Sequence, residues 1–168
     1  RYRDRDKRIH FKKVNAIDFI KINKKKFDLI MIKQTIHLLK YQEIKKLIYA
    51  CKMQLNQNGK VLILSLETSN NEIPTFLLMK KKLKKSLDRD KKIIKYISKL
   101  YPKNKNKRFS FKVKISRDKY IEMIKNRYIS TLLGFSLHDI FKGINQINLK
   151  YKKILSFNDK LICLILDK

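Results

Sequence analysis

The sequence predicts an α/β domain with a mostly parallel central sheet, and three observations carry that prediction. FDLIMI (27–32) and KVLILSL (60–66) are unbroken apolar runs of strand length, as expected of strands covered on both faces. Between them Ile44, Leu47, Ile48, Cys51 and Leu55 recur at three- and four-residue spacing, the pattern of an amphipathic helix. Strand, helix and strand within about 40 residues form a βαβ unit with a right-handed crossover. At 168 residues the chain suits one domain with one substantial core.

The remaining elements follow in chain order. RIHFKKVNA (8–16) alternates imperfectly through Ile9, Phe11 and Val14 and predicts a short strand; IDFIKINKKK follows as a loop or one helical turn. LNQNG ends the amphipathic helix, with Asn58 and Gly59 supplying backbone freedom at its C-terminus. After KVLILSL, TSNNEIP is a turn-rich linker, and residues 75–100 carry a lysine-laden helical pattern through Leu77, Leu78, Leu83, Leu87, Ile94 and Ile97. YPKNKNK (101–107) reads as a loop, and the strict alternation of FSFKVKI (109–115) as a half-exposed antiparallel or edge strand. Ser116 and Asp118 suit the start of a helix with the stripe Tyr120, Ile121, Ile124, Tyr128 and Leu132. A short helix starts near Ser136. KKILSF, a turn at Asn158 and Asp159, and a last buried strand KLICLILD close the chain.

The net charge of +29 is compatible with a phosphate-rich partner. Lysine, however, outnumbers arginine 35 to 8, with Ile and Asn abundant, as A/T-rich codons would leave across a whole gene. Specific phosphate or base recognition favours arginine clusters among exposed aromatics, so nucleic acid is the less favoured partner. Cys51 and Cys163 lie far apart among apolar residues, without metal-ligand spacing, and predict inert thiols in a cytoplasmic protein with no metal centre. No apolar run reaches the roughly 18 residues of a membrane span. Oligomeric state is left open.

Open parallel sheets bind ligands outside the carboxyl ends of their strands. Lys33, Gln34 and His37 lie beyond one such end, and Glu67 and Thr68 beyond the other. His37 is the candidate base or acceptor-orienting group, with an ordinary histidine at a helix start as the alternative.

The order VNAIDFI, FDLIMIKQTIHLL, helix, LNQNGKVLILSL resembles the central and C-terminal part of class I S-adenosylmethionine-dependent methyltransferases. There a strand ends at a "DAEDL"-like turn, and "FDLVxxxxALHH", a helix and "LKPGGxLxI" follow. YIEMIKNRYISTLLGFSLHDIFKGINQI with SFNDKLICLILDK is similar to the tail of small-molecule members, including trans-aconitate-type enzymes. The resemblance implies a Rossmann-like sandwich of strand order 3-2-1-4-5-7-6, with RIHFKKV in the place of strand three. It makes residues 1–168 a single methyltransferase domain, with 68–107 and 117–150 as helical cap or insert elements. It further implies S-adenosylmethionine as cofactor and a small organic acceptor, a carboxylate among the candidates.

Carried over residue by residue, the resemblance gives Asn15, Ala16 and Asp18 to the adenine, Asn15 standing where the family has an acid. Ile32, Lys33, Gln34 and His37 occupy the methionine and methyl side, His37 being the catalytic candidate. Read from the residues alone, Arg127 is one of few arginines and stands beside Tyr128 on an expected cap helix, where a guanidinium fork suits a carboxylate acceptor; a surface arginine with an aromatic core neighbour is the alternative. The family's glycine-rich loop has no counterpart: Gly59, Gly134 and Gly143 are the only glycines, none in a G-x-G arrangement. The resemblance therefore implies that the family's first two strands precede Arg1. The alternatives are an inactive methyltransferase fragment, a basic nucleic-acid-binding protein, or a nucleic-acid methyltransferase.

Overall fold

The computed structural model describes residues 9–168. In chain order the elements are α1 (Ala16–Ile22), β1 (Phe27–Lys33), a 3-10 turn (Ile36–Leu38), α2 (Tyr41–Met53), β2 (Leu55–Leu66) and α3 (Leu77–Leu100). They continue as β3 (Lys105–Ser116), α4 (Arg117–Lys125), a second 3-10 turn (Ser130–Leu132), α5 (Leu137–Lys150) and β4 (Ile154–Asp167).

One four-stranded sheet runs in the order β1-β2-β4-β3. The predicted βαβ unit is present, with β1 parallel to β2, Ile30 opposite Val61 and Ile32 opposite Ile63. The other two pairings are antiparallel, Ile63 with Leu164 and Phe109 with Leu161, so the expected mostly parallel pairing does not hold. The cause is β4. It returns between β2 and β3 and runs against both, leaving β3 on the edge as its alternation predicts.

Four further expectations are corrected. Residues 9–15 form no strand, and Arg8 lies outside the described residues: Ile9, Phe11 and Val14 are exposed and pair with no strand among the described residues, and helix α1 starts directly behind its cap Asn15. LNQNG is the first part of β2 rather than a helix end, because Gln54 already closes α2 by donating to Ala50 and Cys51 carbonyls. Gly59 is used for close approach: a Cβ there would lie 2.9 Å from the Phe27 carbonyl oxygen. Asn158 and Asp159 make no turn. They continue β4 opposite Lys112 and Phe111, and β3 already begins at Lys105 inside the expected loop.

Asn158 is held in the strand from outside. Its backbone N–H and Nδ2 donate to Glu72 Oε2 at 3.0 and 2.8 Å, and Lys160 Nζ lies 2.5 Å from Glu72 Oε1. The Lys160 bond first, then those from Asn158, hold the Glu72 carboxyl down at about 2, against an ordinary 4.5. A carboxylate depressed in the folded state contributes stability that is present above pH 4.5 and lost as pH falls toward 2. Thermal melts across that window are expected to fall for the unsubstituted chain and to flatten in Glu72→Gln; equal slopes would show that the cluster is not formed.

Two apolar clusters hold the elements together. In the first, Ile44, Ile48 and Cys51 of α2 and Ile93 and Ile97 of α3 pack on Ile32, Ile63 and Leu164 of the sheet. Both cysteines are buried and free as the sequence predicts, and burial pushes the Cys51 thiol up to about 11. The second joins Phe76 and Met79 before and within α3 to Tyr120 and Ile124 of α4, Leu132, Ile144 and Ile147 of α5, and Leu155. Tyr120 Oη there donates to the Pro74 carbonyl at 2.5 Å. Lysines cover the outer face of α3 while Met79, Leu83, Leu87, Asp90, Ile93 and Ile97 point inward.

Candidate functional site

The site grows from the carboxyl end of β1. Gln34 N–H donates to the Leu64 carbonyl at 2.8 Å, the last rung toward β2. Gln34 itself has φ 52, a left-handed conformation that turns the chain out of the sheet. The 3-10 turn follows, pinned by buried Ile36, and sets His37 toward α3.

A chamber of about 510 Å³ opens there. Gln34, His37 and Leu66 form its floor at the strand ends, and Leu83, Leu87, Arg89 and Asp90 of α3 one wall. Val113, Ile115, Phe157 and Asp159 of β3 and β4 form the opposite wall, and Tyr120, Met123 and residues 128–131 the roof. Most of this lining is apolar. The sheet thus places its cavity where an α/β crevice is expected.

The charged groups are few. Asp90 is 7% exposed, and Arg89 Nε and Nη2 both donate to its Oδ1 at 3.3 Å. No protein donor reaches Asp90 Oδ2 among the described residues. His37 is held below its ordinary value, chiefly by burial; Asp90 pulls it up and Arg89 pushes it down. Asp159 Oδ1 is buried without a protein partner.

A second groove, of about 590 Å³, runs along the outer edge of β1. Ala16, Phe19 and Ile20 of α1 face Leu29, Ile32 and Lys33 across it. Lys33 lines the groove and the next residue, Gln34, the chamber, so both cavities lie at the end of one strand, with no lining residue in common.

The sequence-predicted residues divide between these places. Gln34, His37 and Tyr128 share the chamber, and Ala16, Ile32 and Lys33 share the groove. Asn15 and Asp18 line neither: Asn15 Oδ1 caps α1 by accepting from Ile17 and Asp18 N–H at 2.8 and 3.4 Å, and Asp18 is exposed. Arg127 turns away from the chamber, Nη2 donating to the Phe135 carbonyl at 2.9 Å. Its φ of 52 ends α4 early, so Tyr128 leaves the expected stripe and stands 72% exposed at the rim.

Glu67 belongs to a strand-end cluster, accepting from Arg108 Nε at 2.8 Å and Thr68 N–H at 3.1 Å. Asp90 and Asp159 are the chamber residues that sequence reasoning missed. The first had a readable signal: Leu83, Leu87, Asp90, Ile93 and Ile97 share one helical stripe, and an acid on a buried stripe is unusual. Among the described residues no group of three metal-ligating side chains occurs, and no helix is long and apolar enough to cross a membrane.

No family model matches the chain, and no curated protein does. Among solved structures it is similar to the plantazolicin methyltransferase BamL in complex with a triazolic desmethylPZN analog and SAH, at 12% identity and TM-score 0.40. That likeness covers 92% of this chain and 58% of BamL. The plantazolicin methyltransferase BpumL in complex with SAH is similar at 13% identity and TM-score 0.37, over 89% of this chain and 56% of that one. The chain therefore spans less than two thirds of either structure's length, and its activity rests on the chemistry of its own site.

Proposed function

We propose that the chain serves methyl transfer from S-adenosylmethionine to a small organic acceptor. The observation that carries this reading is that two separate cavities are lined by consecutive residues, Lys33 and Gln34, at the carboxyl end of β1. A groove bearing Ala16, Ile32 and Lys33 suits the donor, and a partly open, largely apolar chamber behind Gln34 and His37 suits the acceptor. The strand order β1-β2-β4-β3 supports it, being the order 4-5-7-6 at the end of the series implied by the sequence resemblance.

Methyl transfer from a sulfonium is an in-line displacement. The protein's work is to align the nucleophile, the methyl carbon and sulfur, and to exclude water. Largely apolar walls suit an apolar acceptor here, and Gln34 lines the chamber at the carboxyl end of β1. The test is calorimetry on the full gene product that carries this chain. Saturable one-to-one heat is expected with S-adenosylmethionine and with its demethylated product; no heat with either removes the proposal.

One observation favours the nucleic-acid alternative. Phe109 and Phe111 stand exposed on the edge strand with near-parallel rings, 6.5 Å and 11° apart, and Lys107 lies on the same face. In the same experiment, mixed-sequence RNA bound only below about 0.15 M salt would mean charge alone, whereas tight binding above it would favour this second reading.

A further inference from the structure

The edge strand β3 carries a surface that neither cavity uses. Alternation puts Lys105, Lys107, Phe109 and Phe111 on one face of the sheet, where Phe109 and Phe111 pair across to Leu161 and Asp159 of β4. The two rings are 40% and 53% exposed, with centroids 6.5 Å apart and planes within 11° of each other. Neither ring lines the chamber or the groove.

The cations along β3 are of two kinds. Lys105 is paired with Asp167 at 3.4 Å and Arg108 with Glu67 at 2.8 Å. Lys107, Lys112 and Lys114 make no ion pair among the described residues. Lys107 shares the face of the rings, and Lys112 and Lys114 lie on the other face of the same strand. Because β3 is the edge of the sheet, its open side is within reach of long side chains from both faces. Asp159, across from Phe111, is the acid beside the rings, so an anionic partner must keep its charge on the outer side of the strand.

Lysines on an edge strand also keep other strands from pairing with it, and that role accounts for the lysines alone. Two exposed aromatic rings among them are the opposite of what such protection wants. Rings and cations together fit a partner that alternates flat apolar groups with negative charge. A duplex stacks its bases on one another about 3.4 Å apart, whereas unpaired bases are free to lie on aromatic rings instead.

We propose that the outer surface of β3 is a platform for single-stranded nucleic acid, with unpaired bases stacked on Phe109 and Phe111 and phosphates held by Lys107, Lys112 and Lys114. Stacking of this kind tolerates any sequence and works with lysine as a point charge, so it does not need the arginine clusters of specific readout. The platform lies outside both cavities and does not rest on methyl transfer.

The experiment measures the fluorescence anisotropy of a labelled oligo-dT of about 12 nucleotides on the full gene product that carries this chain, over a salt series. Binding should persist at about 0.15 M salt and exceed that of a duplex of the same length. Phe109→Ala and Phe111→Ala should each weaken it about 5- to 150-fold without changing the salt slope. Phe109→Tyr and Phe111→Tyr should keep the affinity, and Phe141→Ala, an exposed ring on α5, should leave it unchanged. Lys107→Gln, Lys112→Gln and Lys114→Gln combined should flatten the slope of log affinity against log salt by about 2. Both rings are exposed, so their truncation leaves the fold intact. Duplex bound as tightly as single strand, or ring truncations no stronger in effect than Phe141→Ala, would overturn the platform and leave charge alone. An oligo-glutamate peptide that displaces the strand at equal charge would overturn it in favour of an acidic peptide partner. The methyl donor takes no part in these readouts, so its failure to bind would remove methyl transfer and leave the platform standing or falling by itself.

Discussion

Leu164→Ala is expected to destabilise the fold by about 2–5 kcal/mol, the range for truncating a fully buried leucine. Leu164 is 1% exposed in the C-terminal part of β4, opposite Ile63 on one side and Asn106 on the other. It packs in the cluster that joins α2 and α3 to the sheet, so its loss opens a cavity on which three elements converge. Ordinary domains have only about 5–15 kcal/mol to lose. For a chain of this size the expected change is a fall in melting temperature of roughly 4–20 °C. Leu149→Ala, at a position 89% exposed on α5, should stay within about 0.5 kcal/mol of the unsubstituted chain. Equal melting of the two variants would mean that β4 does not run through the centre of the core.

The strand that carries Leu164 also shows where the sequence stops being legible. Local pattern sufficed for β1, α2 and the second half of β2, because each buries one unmixed period: a continuous apolar run for a covered strand, a 3.6-residue stripe for a helix. It misled at Asn158 and Asp159, whose turn chemistry is overridden by twelve consecutive pairs with β3 and by the bonds from Asn158 to Glu72, 86 residues away in sequence. It misled again at residues 9–15, where alternation finds no strand to pair with among the described residues. A β-strand is defined by its neighbour, and the neighbour is not a local property.

The candidate site was legible to a similar depth. Position along β1 is enough to place Gln34 and His37 beyond a strand end, and the structure has both in the chamber. What pattern could not supply is direction. The left-handed turns at Gln34 and Arg127 occur at non-glycine residues, with no signal in composition, and they decide which side chains face the cavity. One such turn sends His37 inward, and the other gives Arg127 to a backbone carbonyl. Asp90 was hidden differently, by a run of lysines on the same helix that made its polar residues look uniformly solvated.

Behind the roof of the chamber α5 approaches the start of α3 closely at Gly143, and Gly143→Ala is expected to disturb that contact. In most helix interiors this change stabilises by about 1 kcal/mol, since alanine has the better propensity. Here the added Cβ would lie 2.6 Å from Cδ1 and Cε1 of Phe76, inside any tolerable contact. Phe76 cannot swing aside easily. It is buried, its ring is tilted against Phe135 at 5.8 Å, and the next residue, Leu77, is tied to α5 by its N–H bond to Gln146 Oε1 at 2.9 Å. Overpacking of this kind costs about 1–3 kcal/mol net, so the sign is opposite to that of an ordinary helix glycine. The α5 helix would be pushed off the start of α3, and with it the cluster that seats Tyr120 and Ile124 of α4 above the chamber. Thermal melts should therefore fall, although no residue lining the chamber has been touched. Placing the same substitution in a Phe76→Leu background isolates the contact, because residues that meet are non-additive and the second change should then cost less than the first. A higher melting temperature for Gly143→Ala in the native background would show that α5 and the start of α3 are not packed this closely, and that the roof is held by something else.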